Sequence, residues 1–332
     1  MAVTPELLRG IPIFDDLQDA ERMEILSCFN EAHVDAGERL YLEGEAATNA
    51  CFLLDGELEA LKALPGGGET VVGTIAPGGM IGEMALVAGG ERTATVRARC
   101  PSTVIKVSYH FFHAALDQMS VPAFKILRAV IHTMTQRLGE LQTRILEQWD
   151  CEPFIGSAAG TSTDPVASQS PSFAYRPFLA VMPWFESFDE TEIDDLLAKG
   201  ELTEVPRDTF LYREGAVPGS CFLVLRGAVE RSVMRDRRYQ FSVLGPGRLC
   251  GGNAIIADGV HSSDARVRSQ ALLLRLERSD FASLFRGDQS YCLKFQNLVS
   301  ANQLIQLKAT DNLLALLVSQ GYVQGEPRAS SL

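Results

Sequence analysis

From Gly78 to Ala98 the chain runs Gly-Gly-Met-Ile-Gly-Glu-Met-Ala-Leu-Val-Ala-Gly-Gly-Glu-Arg-Thr-Ala-Thr-Val-Arg-Ala, and the reading of this stretch decides the fold. Glycines and a short apolar pair lead into a helix of one or two turns, Glu83 to Ala88. Gly89-Gly90 stops it, because glycine takes positive φ at little cost. Arg92 stands directly before an alternating run, Thr93 to Val96, that predicts a strand. A helix start presents unpaired N–H groups and a positive dipole end, a setting for an anion. Gly82 lets a ligand approach the backbone there. The Arg92 guanidinium can make two parallel charge-assisted bonds to phosphate oxygens, and an ionised Glu83 can accept a hydrogen bond from a sugar hydroxyl. Phosphate and ribose recognition are both available within this one stretch.

Outward from it, a length of 332 residues predicts two domains, and an apolar content of 46% suffices for packed cores. The formal charge of -12 is spread along the chain, which speaks against a broad nucleic-acid or anionic-membrane surface. An anionic ligand would therefore need a local positive site such as Arg92 inside a repelling field. Seven scattered cysteines, with no C-x-x-C pair and no zinc spacing, read as reduced thiols without a metal. Met1 to Gly10 lacks the apolar core of a signal peptide, and no apolar run approaches a membrane span. A cytoplasmic protein is the expectation.

Asp15 to Phe29 carries Leu17, Met23, Ile25, Leu26 and Phe29 near one face and predicts an amphipathic helix. From Ala32 to Val107, short apolar runs are punctuated by glycines, including a hairpin turn at Gly66 to Gly68. Such spacing argues for a sandwich or barrel rather than a parallel sheet. Tyr109 to Trp149 is helical, with Leu127, Ile131, Met134, Leu138, Leu141 and Ile145 forming a heptad seam. The seam packs either on the chain's own barrel or on a second copy; a homodimer through helix 127–148 is the favoured expectation. The Ser/Gly/Pro-rich segment 151–176 reads as a flexible linker. Beyond it the first domain returns: Pro12-Ile13-Phe14 recurs as Pro183-Trp184-Phe185, Tyr41-Leu42-Glu43-Gly44 as Tyr212-Arg213-Glu214-Gly215, and Gly56 as Gly227, all at an offset of 171. Pro77-Gly78 recurs as Pro246-Gly247, two residues closer. An internal copy of this size means two domains of one fold, expected at 1–150 and 177–322 with a polar tail at 323–332. Tyr291 to Gln320 closes the second domain as a helix.

Gly82-Glu83-Met84-Ala85-Leu86 followed by Arg92-Thr93-Ala94-Thr95-Val96 resembles the phosphate-binding cassette of cyclic-nucleotide-binding domains, the family of cAMP-dependent kinase regulatory subunits, cyclic-nucleotide-gated channels and the bacterial catabolite activator. The resemblance implies a mainly β fold with flanking helices, here two tandem jelly-roll barrels. It implies a ligand, cAMP or cGMP, without a metal: Arg92 holds the cyclic phosphate, Glu83 the ribose 2′-OH, and Gly82, Met84, Ala85, Leu86, Thr93 and Ala94 complete the pocket. From the same resemblance, Gln142 and Thr143 on the long helix are the candidate purine contacts. Trp149, or Phe173 and Tyr175 in the linker, are candidates for an aromatic lid. Thr93 does not separate cAMP from cGMP.

The second copy departs where the chemistry would be. Aligned on Gly82, it reads Gly251-Gly252-Asn253-Ala254-Ile255-Ile256, so Glu83 becomes Gly252. Around the Arg92 position stand His261, Ser262, Ser263 and Asp264, and Asp264 beside the cavity would repel a phosphate. Arg266 matches Arg97 rather than Arg92. The second domain is read as a degenerate copy that lost the cyclic-nucleotide site.

No nucleophile elbow, kinase signature, His-rich metal set or catalytic triad order is present, so no enzyme is expected. The sequence carries neither a helix-turn-helix pattern after either barrel nor an arginine-rich pseudosubstrate before Leu7. The expected function is a cyclic-nucleotide sensor that signals to an effector protein, without direct nucleic-acid binding. The alternative is a non-catalytic tandem-barrel scaffold or interaction subunit of a larger complex. A third reading is a transcription regulator acting through a partner that supplies the DNA-binding domain.

Overall fold

Alternation along Asn49–Asp55 buries Cys51 and Leu53 on one side of a strand and Phe52 on the other, and this two-faced strand organises the amino-terminal barrel. Cys51 and Leu53 join Val34, Tyr41, Leu58, Val96, Ala98 and Val104 in the barrel interior. Phe52 packs outward, edge-on to Phe14 at 5.0 Å, and Phe14 meets Phe29 in the same way at 5.2 Å. The computed structural model describes residues 3–9, 11–63, 68–149, 175–179, 182–235 and 237–323. Linker residues 151–174, turn residues Gly66 and Gly67, the lid candidate Phe173 and the tail from 324 lie outside them.

The first copy runs α1 (Pro5–Leu8), α2 (Asp19–Ile25), β1 (Phe29–Val34), β2 (Arg39–Tyr41), β3 (Asn49–Asp55), β4 (Leu58–Ala63), β5 (Glu69–Ile75), β6 (Met80–Ile81), α3 (Glu83–Ala88), β7 (Thr95–Ala98), β8 (Ser102–Ser108), α4 (Tyr109–Asp117) and α5 (Val121–Gln148). Its strands form two antiparallel four-stranded sheets, ordered β1-β8-β3-β6 and β2-β7-β4-β5. The second copy runs α6 (Arg176–Leu179), α7 (Glu190–Leu197), β9 (Glu201–Val205), β10 (Phe210–Tyr212), β11 (Ser220–Met234), β12 (Arg238–Leu244), β13 (Leu249–Cys250), α8 (Gly252–Ile256), β14 (Asp264–Glu277), α9 (Arg278–Arg286) and α10 (Ser290–Val323). Here β11 spans the places of β3 and β4, and β14 those of β7 and β8, so the two sheets merge into one of six strands. At the corner in each copy sits a glycine with positive φ, Gly56 at +99° and Gly227 at +90°. A Cβ there would lie 2.3 Å from Ser102 Oγ or 2.6 Å from the Gln270 carbonyl, so only glycine lets the strands cross this closely.

Three expectations differ in detail. The amphipathic helix is shorter, ending at Ile25 before a 3-10 turn at Leu26–Cys28, and Met23 is exposed because the short helix buries the Arg22 stem and Ile25 instead. The strand after Arg92 begins at Thr95, two residues later than the alternation suggests. The chain divides into two compact units at Met134/Thr135, inside α5, rather than in the Ser/Gly/Pro-rich segment. From Thr135 onward α5 belongs with the second unit: Leu146 packs beside Val233, and Trp149 lies on Tyr239 and Phe241 with ring centroids 5.0 and 5.3 Å apart.

The heptad seam is corrected in its partner. Leu127, Ile131, Met134, Leu138, Leu141 and Ile145 are all buried within the single chain, none more than 5% exposed. The six seam positions are thus taken up in the chain's own packing, so nothing on this face points to a second copy.

Candidate functional site

The cassette of the first barrel is held by its backbone before any side chain acts. Gly82, at φ +82°, turns the chain from β6 into α3, a left-handed conformation that L side chains rarely take. Gly89 and Gly90, at φ +62° and +100°, stop the helix as expected. Arg92 is then pinned to the turn after β2: its N–H donates to the Glu45 carbonyl at 2.8 Å, and its own carbonyl accepts from Gly44 N–H at 2.9 Å.

That pinning delivers the guanidinium into the interior, where Arg92 is only 6% exposed. It stacks on the Tyr41 ring, 3.4 Å from the centroid, a cation–π contact in desolvated surroundings. Tyr41 in turn donates its O–H to Asn49 Oδ1, and burial pushes its pKa up, so the phenol stays neutral. The remaining partners of Arg92 are weak: Nη2 reaches Asn49 Oδ1 at 3.4 Å, and Nε approaches the half-exposed Glu45 carboxylate at 3.8 Å. Nε and Nη1 are buried and make no hydrogen bond. A buried donor left unsatisfied costs about 1–3 kcal/mol, more when charged. A doubly accepting anion on the Nε/Nη2 edge or on the Nη1/Nη2 edge would satisfy one of these two donors and strengthen the weakly held Nη2.

The other predicted residues gather at the same place. Glu83 opens α3 and is 2% exposed; Met84, Ala85 and Leu86 are buried behind it, and Thr93 and Ala94 are half-buried beside Arg92. A Cβ on Gly82 would fall 2.7 Å from Arg92 Nη1, so the glycine and the guanidinium share one small space. Leu86 is tied to α4 by His113 Nε2, 2.9 Å from its carbonyl oxygen.

The second cassette repeats the frame with other side chains. Gly251, at φ +88°, opens α8 as Gly82 opens α3. His261 takes the place of Arg92, stacked flat on Tyr212 with centroids 3.6 Å apart, as Arg92 lies on Tyr41. Asp264 does not face the cavity: it accepts from Glu214 N–H at 2.9 Å and from Arg213 at 3.2 Å, the role Thr95 Oγ1 plays toward Glu43 N–H at 3.1 Å. This corrects the expectation of a phosphate-repelling carboxylate. Arg266 is held by Asp208 and Glu230, much as Arg97 is held by Glu59, and is no displaced clamp.

The family model for the cyclic nucleotide-binding domain matches the sequence twice, at residues 31–119 and 202–288, together more than half of the chain. The chain belongs to the cyclic nucleotide-binding domain family. Among curated relatives, a cAMP-dependent protein kinase regulatory subunit of Mycosarcoma maydis is 33% identical over 29% of this chain and 18% of its own length. An uncharacterized ABC transporter ATP-binding protein of Mycobacterium tuberculosis is 36% identical over 25% of this chain and 26% of its own. The match thus spans about a quarter or less of these relatives. Among solved structures, the regulatory domain of Toxoplasma gondii PKA with cAMP is 16% identical, covering 96% of this chain and 95% of that one, with a TM-score of 0.31. A cyclic nucleotide-binding domain from Methylobacillus flagellatus is 25% identical over 43% of this chain and 80% of its own, with a TM-score of 0.39.

In this member of the family, the long-helix candidates belong to the second unit, whereas Arg92 belongs to the first. Gln142 is 5% exposed, in the second unit, and its Oε1 accepts from Ser262 at 2.8 Å. Thr143 is exposed and bonds the Gly139 carbonyl on its own helix at 3.1 Å. Within their own unit Gln142 is bonded to the second barrel and Thr143 to its own backbone. Trp149 is taken up by Tyr239 and Phe241 rather than standing as a lid. Sequence reading missed Tyr41 and Asn49, which orient Arg92. The signal available was the repeated Tyr of Tyr41 and Tyr212, which the sequence shows only as part of the internal repeat. Among the described residues no group of three or more His, Cys, Asp or Glu side chains could hold a metal ion, and no helix is long and apolar enough to cross a membrane.

Proposed function

We propose that the amino-terminal barrel binds cAMP or cGMP and that the chain is a non-catalytic regulatory protein signalling to an effector. The observation that carries this reading is the Arg92 guanidinium, buried on Tyr41 with Nε and Nη1 unsatisfied. A cyclic phosphodiester supplies two acceptor oxygens on one centre and matches the guanidinium fork. Glu83, buried at the start of α3, is assigned the ribose hydroxyl, with Gly82, Met84 to Leu86, Thr93 and Ala94 around the ligand. Binding would shift an existing equilibrium by contacts made in only one state.

Calorimetry with cAMP and with cGMP tests the reading. Arg92→Ala should weaken binding by about 2–5 kcal/mol, the cost of removing one partner of a desolvated charged pair. Equal affinity in variant and parent refutes the assignment. A flat response of the parent to both nucleotides leaves the scaffold reading, which the altered second cassette favours.

A further inference from the structure

The second barrel lost its cassette arginine but not its buried positive charge. In the first barrel, Val96 pairs with Tyr41 on one side and Ala60 on the other. In the second, Ala265 pairs with Tyr212 on one side and Arg231 on the other. By register, therefore, Arg231 on β11 stands where the first barrel has Ala60, while His261 stands where it has Arg92. The charge has moved across the barrel from the cassette to the facing strand.

Arg231 is 6% exposed and lines a cavity of about 150 Å³. Its Nε bonds Ser263 Oγ at 3.4 Å and its Nη1 bonds Gln306 Oε1 at 3.0 Å, both neutral acceptors. Among the described residues it makes no ion pair, and Nη2 has no hydrogen-bond partner. A buried cation without a counter-ion is costly, and an anionic guest would offset that cost. No other cation serves the cavity wall. His261 is uncharged at neutral pH, its pKa lowered to about 4 by burial and by Arg231 itself. The rest of the wall mixes apolar side chains, Leu138, Leu249 and Val260 among them, with paired polar groups: Asn253 Nδ2 donates to Gln306 Oε1 at 3.2 Å, and Gln142 accepts from Ser262. A cavity of roughly this volume accommodates a benzene-sized molecule, so it favours a guest smaller than a cyclic nucleotide.

We propose that the second barrel binds a small organic anion, a carboxylate- or phosphate-bearing metabolite below nucleotide size, with Arg231 as its anion anchor and Asn253 and Ser263 as neighbouring polar contacts. The proposal stands apart from nucleotide binding in the first barrel, and the test separates them.

Full-length protein carrying Arg92→Ala is melted against inorganic phosphate and, separately, succinate, with chloride at equal ionic strength as the control. A saturable rise in melting temperature with either anion is expected, and the two arms tell phosphate from carboxylate preference. Adding Arg231→Gln should lower the apparent affinity at least tenfold. If that variant fails to fold, Gly139→Leu takes its place: Gly139 lines the cavity on an exposed helix position where a new Cβ meets nothing within 4 Å, and leucine favours the helix. Gly139→Leu should keep the ligand-free melting temperature or raise it while blocking the anion response. A response no different from chloride for both anions, or one unchanged by Arg231→Gln and by Gly139→Leu, overturns the proposal.

Discussion

At the scale of single residues, Gly82 and Arg92 form one device. The glycine holds φ +82° and leaves the space that Arg92 Nη1 fills, 2.7 Å from where a Cβ would be. Gly82→Ala must therefore strain the backbone and displace the guanidinium together. We expect a stability loss of about 1–2 kcal/mol in urea melts, the cost of the left-handed conformation for an L residue, and a drop in cyclic-nucleotide affinity by calorimetry. Parent affinity in a stably folded Gly82→Ala would show that the position of Arg92 does not set binding. These residues were legible in the sequence because the cassette is contiguous: Gly82, Glu83 and Arg92 lie within one helix and one turn. Arg231 was not, since Glu-Arg-Ser-Val-Met reads as ordinary strand alternation. Only the pairing of Arg231 with Ala265, across β12, β13 and α8 in the chain, gives it meaning. The bond of Gln142 to Ser262 was hidden for the same reason, its partner lying 120 residues away.

At the scale of elements, both copies use the same joint. A capping box opens α2 with Gln18 and Glu21, and another opens α7 with Asp189 and Glu192. Each capping glutamate also binds a lysine on the helix that follows its barrel: Glu21 meets Lys125 at 2.6 Å, and Glu192 meets Lys294 at 2.5 Å and Ser290 as well. Burial opposes ionisation of both carboxyls. The lysine and the N–H of Gln18 or Asp189 outweigh it, so both pKa values lie below the usual glutamate range. A carboxyl with a lowered pKa in the folded state adds stability above its unfolded pKa, and that stability disappears as pH falls through the folded value. The melting temperature should therefore fall on acidification below about pH 4.5, and the double variant Glu21→Gln, Glu192→Gln should flatten that slope while lowering the melting temperature at pH 7. An acid slope unchanged in the double variant would remove these joints as its source. The capping boxes are visible as sequence patterns, but their lysines stand about a hundred positions on, and nothing local marks them. The heptad seam erred in the opposite way: its period was correct, and only the folded chain reveals that its own residues cover it.

At the scale of the whole molecule, the proposed binding at one arginine-bearing cassette predicts one cyclic nucleotide per chain, in a protein carrying a formal charge of -12. The two facts pull against each other during association. The long-range field repels an anionic nucleotide, while the contact proposed to hold it, Arg92, is buried against Tyr41 and shielded from salt. Screening lengths shrink from about 30 Å at 0.01 M salt to about 8 Å at 0.15 M, so salt removes the repulsion first. The association rate should therefore rise, by roughly twofold, as salt increases over that range, the reverse of an electrostatically steered binder. The dissociation rate should change little, because a buried pair is weakly screened. Stopped-flow measurements with a fluorescent cAMP analogue across this salt series read both rates, and calorimetry reads a stoichiometry near one. An association rate that falls with salt would mean that a positive surface around the first cassette outweighs the net charge. A stoichiometry of two would mean that His261 and Gly252 still admit a nucleotide, so that a charge moved from the cassette to the facing strand still serves the original ligand.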